Sequence, residues 1–233
     1  MTRVRTVGGT VCRLSYCMLA MLILSAIGHS ARAQAPTPKK AEEATVSVLM
    51  KTSMGEIVLE LDHAKAPITV DNFLKYVDEG YYNGVIFHRV IPNFMIQTGG
   101  FLPDMSQKQP GASIQNEWKN GLKNVRGSIA MARLGGNANS ATSQFFINVA
   151  DNSFLDEPRD GAGYAVFGKV IQGMDVVDKI QKVKTSTVGQ FGDVPVQPII
   201  MEKVTRLDKK ARPTAPDDTK KDTAKSGTNP GGK

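Results

Sequence analysis

Residues 87–97 read Phe87-His88-Arg89-Val90-Ile91-Pro92-Asn93-Phe94-Met95-Ile96-Gln97. Within a strand-like segment the stretch places an arginine, a phenylalanine, a methionine and a glutamine close together. Such a set suits a site that grips an apolar ring while aiming a fixed cation at an amide. An outward arginine between buried apolar neighbours is also ordinary strand composition. The stretch by itself leaves both readings open.

Working outward, most of the chain between residues 45 and 208 has strand character broken by turns. Thr45–Lys51 and Glu56–Leu61 alternate and are rich in Val, Ile and Leu, with Ser53-Met54-Gly55 between them, which predicts a hairpin. Pro67 opens a segment in which Val70, Phe73, Leu74 and Val77 recur at helical spacing until Gly80. Strand-like runs follow at about 85–91, 94–98, 128–133, 144–149, 164–171 and 196–207. A second short helix fits Met174–Val183, with Val176, Val177 and Ile180 facing inward. The expected fold is all-β, a closed eight-stranded antiparallel barrel capped by two α-helices, since closure leaves no exposed sheet edge.

The ends of the chain read differently. Arg3, Arg5 and Arg13 precede the apolar run Met18–Ile27, and Ala31-Arg32-Ala33 offers a cleavage site before Gln34, so residues 1–33 are read as a secretory signal peptide. A largely apolar run of ten residues falls short of the roughly 20 needed to span a bilayer. Both cysteines, Cys12 and Cys17, fall in this segment, so the mature chain is expected to hold no thiol or disulfide. Residues 34–44 read as a polar linker, and 209–233 as a disordered polar tail with too few apolar residues to offset the entropy of ordering it.

The formal charge of +7 is concentrated at those ends. Residues 1–33 carry four arginines and no acids, and residues 209–233 carry seven Lys or Arg against three Asp, which leaves −1 for residues 34–208. A near-neutral globular part gives no indication of nucleic-acid binding.

Common catalytic signatures are missing from the sequence. Apart from His29 in the expected signal peptide, the histidines are His63 and His88, and no HExxH, CxxC, GxSxG or GxxxxGK[ST] pattern occurs. The Asp and Glu residues lack ligand spacing, so neither metal nor other cofactor is expected. Gly135-Gly136 is read as a loop between strands in preference to an anion-binding nest.

Four blocks in a fixed order remain. They are Phe87–Gln97 with Gly99-Gly100; Arg126-Gly127-Ser128-Ile129-Ala130-Met131-Ala132; Ser143-Gln144-Phe145-Phe146-Ile147; and Tyr164-Ala165-Val166-Phe167-Gly168-Lys169-Val170. Together they resemble the cyclophilin family of peptidyl-prolyl isomerases, and the residue choices are similar to those of bacterial exported members. The resemblance implies a barrel with its active groove on the outer surface and Arg89 as the catalytic arginine. It implies a proline pocket from Phe94, Met95, Phe146 and Leu155, with Gln97, Ala132, Arg133 and Gln144 lining the adjoining groove and Phe154 and Tyr164 at two further groove positions. His88 is assigned a structural role and Trp118 a packing role. For Arg133, contact through the side chain and contact through the backbone both stay open.

The implied partners are proline-containing folding polypeptides and the implied location is the periplasm, with a monomer sufficient. A groove that captures proline segments with little turnover is the alternative, and retention of Arg89 argues against it. Two departures from the family pattern stand out. Thr98 replaces a customary glycine beside Gln97. Phe154 stands where many eukaryotic members have tryptophan; losing the indole N–H predicts weak cyclosporin binding with isomerase activity retained.

Overall fold

The computed structural model describes residues 45–158 and 160–207. The expected signal peptide, linker and C-terminal tail lie outside the described residues. Ten strands are present among the described residues: β1 (Thr45–Thr52), β2 (Gly55–Asp62), β3 (Arg89–Ile91), β4 (Met95–Thr98), β5 (Ser128–Met131), β6 (Phe145–Asn148), β7 (Val166–Gln172), β8 (Thr185–Val188), β9 (Phe191–Pro195) and β10 (Met201–Arg206). Eight of them form one antiparallel sheet in the order β10-β1-β2-β7-β5-β6-β4-β3, while β8 and β9 form a separate hairpin. Helices α1 (Pro67–Asp78) and α2 (Met174–Ile180) pack against the sheet, and a 3-10 turn covers Ser153–Leu155.

The expectation of a closed barrel needs correction. The sheet is curled but open, because its edge strands β3 and β10 share no ladder. An isolated bridge between Ile86 and Ile200 spans the seam, flanked by hydrogen bonds from Phe87 N to Ile199 O (2.9 Å) and from Met201 N to Val85 O (2.8 Å). The physical reason lies in the segment before β10. Pro195 and Pro198 have no N–H to donate, so that segment cannot extend a ladder alongside Arg89–Ile91. The chain turns out into the β8–β9 hairpin instead, and β9 packs beside β3. Accordingly, the strand expected over 196–207 begins only at Met201, and the hairpin was not anticipated.

Both helices bury the predicted faces. Val70, Phe73, Leu74 and Val77 of α1 and Val176, Val177 and Ile180 of α2 are buried, although α2 ends three residues before the expected Val183. Pro67 occupies the first turn of α1, where its missing N–H is harmless, but no neighbouring side chain caps the helix. Glu117 does so from 48 residues away, accepting from Thr69 N at 2.8 Å, Thr69 Oγ1 at 2.6 Å and Ile68 N at 3.1 Å. A carboxylate there also meets the positive end of the helix dipole.

Side-chain alternation gives the sheet two buried faces. Inside the curl, Phe73, Tyr82, Phe145 and Phe167 form an aromatic centre, with Phe73 and Tyr82 each 5.2–5.4 Å from the Phe145 ring. On the opposite face, Met95, Ala130, Phe146, Leu155 and Val166 make a second, smaller cluster rimmed by Ile91, Phe94, Leu122, Ala132 and Tyr164. Successive residues of β4 and β6 therefore serve different cores, because side chains in a strand point alternately to either face.

Candidate active site

The outer cluster continues into a transverse row of side chains set by strand register. Arg89 on β3 pairs with Gln97 on β4, Gln97 with Phe146 on β6, and Phe146 with Ala130 on β5. Two inter-strand steps separate Arg89 from Phe146, roughly 10 Å at about 4.8 Å per step. The row thus runs from a cation through an amide to an apolar floor. One step along the strands, Ile91 pairs with Met95 and Met95 with Asn148.

Arg89 lies on the edge strand, its side chain 44% exposed, with Nε 3.9 Å from the Asp193 carboxylate of β9. A contact this long between half-exposed groups contributes about 0–1 kcal/mol. It leaves the terminal guanidinium nitrogens available to a ligand. Beside Arg89, Gln97 Nε2 donates to Gln144 Oε1 at 2.9 Å, which sets the orientation of both amides. A Cβ on Gly100 would approach the Gln144 side chain to 2.7 Å, and one on Gly99 would approach Ser143 O to 2.5 Å. Close packing against the β6 entry therefore requires both glycines, and Gly99 also has φ +91°.

The apolar end is walled by aromatic rings. Phe94 stacks on Phe154 at 5.6 Å, and Phe146 meets Tyr164 edge-on at 5.7 Å. Met95, Phe146 and Leu155 are buried, whereas Phe94 and Tyr164 are partly open and Phe154 is 42% exposed. Ala132 packs against the cluster, and its N–H donates to Gln144 O at 2.9 Å.

Arg133 behaves differently from the other expected groove residues. Its guanidinium lies over the Tyr164 ring at 4.6 Å and donates to Asp160, Ala162 O, Gly163 O and Leu134 O. The hydrogen bond from Arg133, and then that from Gly136 N, hold the Asp160 carboxyl down at about 2. Its donors are committed to the 160–163 loop and Leu134 O, and the Arg133 side chain packs on Tyr164.

Thr98 is removed from the groove by strand alternation. It is fully buried on the inner face, and its hydroxyl donates to Ile86 O at 2.8 Å. The residue that replaces a customary glycine therefore ties β4 to the seam and leaves the Gln97 face clear. His88 is also buried, its ring 4.6 Å from Phe101, and its Nδ1 has no partner. Burial first, and then the adjacent Arg89 charge, lower the imidazole from 6.5 to about 4, against smaller upward pulls from Gln144 and Ile86. It is neutral at ordinary pH. Trp118 is half-buried against Gly163, where an added Cβ would come within 2.8 Å of its ring.

Several contributors had no sequence signal. Asn124, Asn148, Asn152 and Asp156 join beneath the aromatic walls, and Asp193 reaches Arg89 from a hairpin that alternation alone did not reveal. Among the described residues, no group of three or more His, Cys, Asp or Glu is arranged to hold a metal ion. Among them, too, no helix is long and apolar enough to cross a membrane.

Comparisons with known proteins show which family the chain belongs to. The chain is 52% identical over 180 residues to peptidyl-prolyl cis-trans isomerase A of Dickeya dadantii, covering 77% of this chain and 94% of that protein. It is 61% identical over 156 residues to a peptidyl-prolyl cis-trans isomerase of Acinetobacter baylyi, covering 67% and 82%. A crystal structure of a cyclophilin-type peptidyl-prolyl cis-trans isomerase from Cryptosporidium parvum superposes with a TM-score of 0.60 at 28% identity, covering 70% of this chain and 98% of that one. Residues 47–206 match the family described as cyclophilin type peptidyl-prolyl cis-trans isomerase/CLD, a span that includes nearly all of the main sheet and the whole Arg89–Phe146 row. The chain belongs to the cyclophilin-type peptidyl-prolyl cis-trans isomerases.

Proposed function

We propose that this isomerase accelerates rotation about Xaa-Pro bonds by holding the proline ring in the outer apolar cluster while Arg89 stabilises the twisted amide. The observation that carries this reading is the transverse row Arg89–Gln97–Phe146, in which strand register lines up a cation and an amide donor with an apolar floor.

Resonance gives the prolyl C–N bond partial double-bond character and a rotational barrier of about 18–20 kcal/mol. Twisting the bond localises the lone pair on nitrogen, and a guanidinium aimed at that nitrogen is more favourable in the twisted state than in either planar one. Arg89 keeps its charge at every relevant pH. Met95, Phe146 and Leu155 hold the ring, Phe94, Phe154 and Tyr164 enclose it, and Gln97 donates to a substrate carbonyl. Gln144 and the Ala132 backbone line the continuation of the groove. Rotation makes and breaks no bond, so the chemistry calls for no nucleophile or general base.

Each factor of ten in rate corresponds to about 1.4 kcal/mol. Arg89→Ala is expected to lower kcat/KM for a short Xaa-Pro peptide by about 100-fold, in line with the loss of one preorganised electrostatic donor. An unchanged rate would remove Arg89 from the mechanism.

The groove serves proline-containing polypeptides, and we further propose that a monomer exported to the periplasm performs this work after cleavage before Gln34. The ordered charged, apolar and small-residue regions of residues 1–33 support export. Sequencing the N-terminus of the mature protein from a periplasmic extract tests it, and retention of Met1 or a cytoplasmic fraction would count against it.

A further inference from the structure

A buried chain of amides lies behind the proline pocket, and none of its members is among the groove residues expected from sequence. Asn124, Asn148 and Asn152 are 1%, 0% and 3% exposed. Burying three primary amides in a domain this size is unfavourable unless their hydrogen-bonding groups are satisfied.

Their hydrogen bonds run in one direction. Asn152 Nδ2 donates to Phe94 O at 2.8 Å and to Asn148 Oδ1 at 2.7 Å. Asn148 Nδ2 donates to Asn124 Oδ1 at 3.1 Å and to Ser128 Oγ at 2.9 Å. Asn124 Nδ2 donates to Asp156 Oδ1 at 2.9 Å and to Tyr164 O at 3.3 Å. A backbone carbonyl at one end and a carboxylate at the other accept only, so these two ends dictate which way each amide faces. Reversing Asn152 would set its oxygen against the Phe94 carbonyl.

The backbone completes the connection. Asn152 N donates to Asn124 O at 2.7 Å, and Asn152 O accepts from Leu155 N at 2.9 Å, which opens the 3-10 turn carrying Phe154 and Leu155. Tyr164 N donates to Leu155 O at 2.9 Å. The network thereby holds Phe94, the Phe154-Leu155 turn and Tyr164, which come from three separate segments. Its hydrogen bonds reach neither Arg89 nor Gln97.

We infer that the Asn152–Asn148–Asn124–Asp156 chain is a positioning device for the proline pocket, with Asn152 as its central donor, and that it sets substrate affinity separately from the catalytic arginine. The inference rests on the groove assignment above. Loosening the walls weakens capture of the ring in planar and twisted states alike, which is uniform binding and shows in KM.

Asn152→Asp tests it with almost no change in shape. The substitution replaces two donors by a carboxylate facing the Phe94 and Asn148 oxygens. Asn152→Ser keeps one donor and serves as partial rescue. With an Xaa-Pro peptide, Asn152→Asp is expected to raise KM at least five-fold with kcat within two-fold of wild type, and Asn152→Ser to fall between them. Folding is checked by circular dichroism and thermal unfolding. A folded Asn152→Asp with a lower Tm and unchanged KM would overturn the inference, leaving the network a structural element only. If Asn152→Asp does not fold, Asn152→Ser decides, since an unchanged KM there overturns it equally. Arg89→Ala measured in parallel keeps the two readings apart. An inactive wild type or a fully active Arg89→Ala sinks the groove assignment, whereas a normal response of Arg89→Ala with silent Asn152 variants sinks only the positioning role.

Discussion

Phe145 and Phe146 are neighbours on β6, yet they belong to different environments. Phe145 is enclosed inside the curl by Phe73 and Tyr82, while Phe146 faces the small outer cluster with an incomplete rim. The inner face is finished by the chain itself. The outer face has rigid strands below, aromatic rings around it and a half-exposed cation at its edge, so a ligand ring can supply the missing cover. One strand thus serves two different environments on alternate residues.

Exchanging each phenylalanine for alanine is the strongest way to break this contrast. Phe145→Ala should cost about 3–5 kcal/mol of stability, the usual range for a core phenylalanine, with the remaining folded protein still active. Phe146→Ala, in a smaller cluster, should cost somewhat less, but it should lower kcat/KM about 10–100-fold, as expected for loss of an apolar wall. Denaturant unfolding paired with peptide isomerisation measures both. Equal destabilisation with turnover intact in Phe146→Ala would make the outer face merely a second core.

His88 sharpens the comparison because it is buried immediately before Arg89. Its imidazole titrates at about 4 in the folded chain against an ordinary 6.5. Between those values the unfolded chain binds more protons, so stability rises with pH. The contribution is complete above about 6.5 and is lost as pH falls toward 4, about 3 kcal/mol at most at 1.36 kcal/mol per unit. Urea unfolding at several pH values should show this slope in wild type and a flatter one in His88→Gln. An identical slope in both proteins would assign the effect to other groups.

The smallest effect is expected at the exposed rim. Phe154→Trp adds an indole N–H at a position that is 42% exposed and stacked on Phe94. One added hydrogen bond contributes about 1 kcal/mol, so cyclosporin should bind several-fold tighter while peptide turnover changes less than two-fold. Titration of both proteins with the drug checks this, and equal affinities would show that the indole donor is not what this groove lacks.

Local patterning carried much of this architecture into the sequence. The alternation of Thr45–Lys51 and Glu56–Leu61 and the helical spacing of Val70, Phe73, Leu74 and Val77 have direct counterparts in β1, β2 and α1. The Arg89–Gln97 and Gln144–Phe146 segments come together because their strands are adjacent in the sheet. Long-range polar contacts were not legible. Glu117 caps α1 from a loop, and the three asparagines are scattered residues whose pairing depends on the finished fold. The open seam is not legible because a strand-like composition over 196–207 obscures the missing donors of Pro198 and, three residues earlier, Pro195.

The pairing of β1 with β10 also governs when the fold can be completed. Val48 lies opposite Arg206 and Met50 opposite Val204, so the first described strand must wait for the last. During synthesis from the N-terminus, β1 has β2 as a neighbour early but lacks its second neighbour until about 150 further residues have emerged. Such non-local closure slows folding, because the entropy of a long loop is lost before the ladder compensates for it. A chain with this connectivity remains incompletely folded until its C-terminal strand is released.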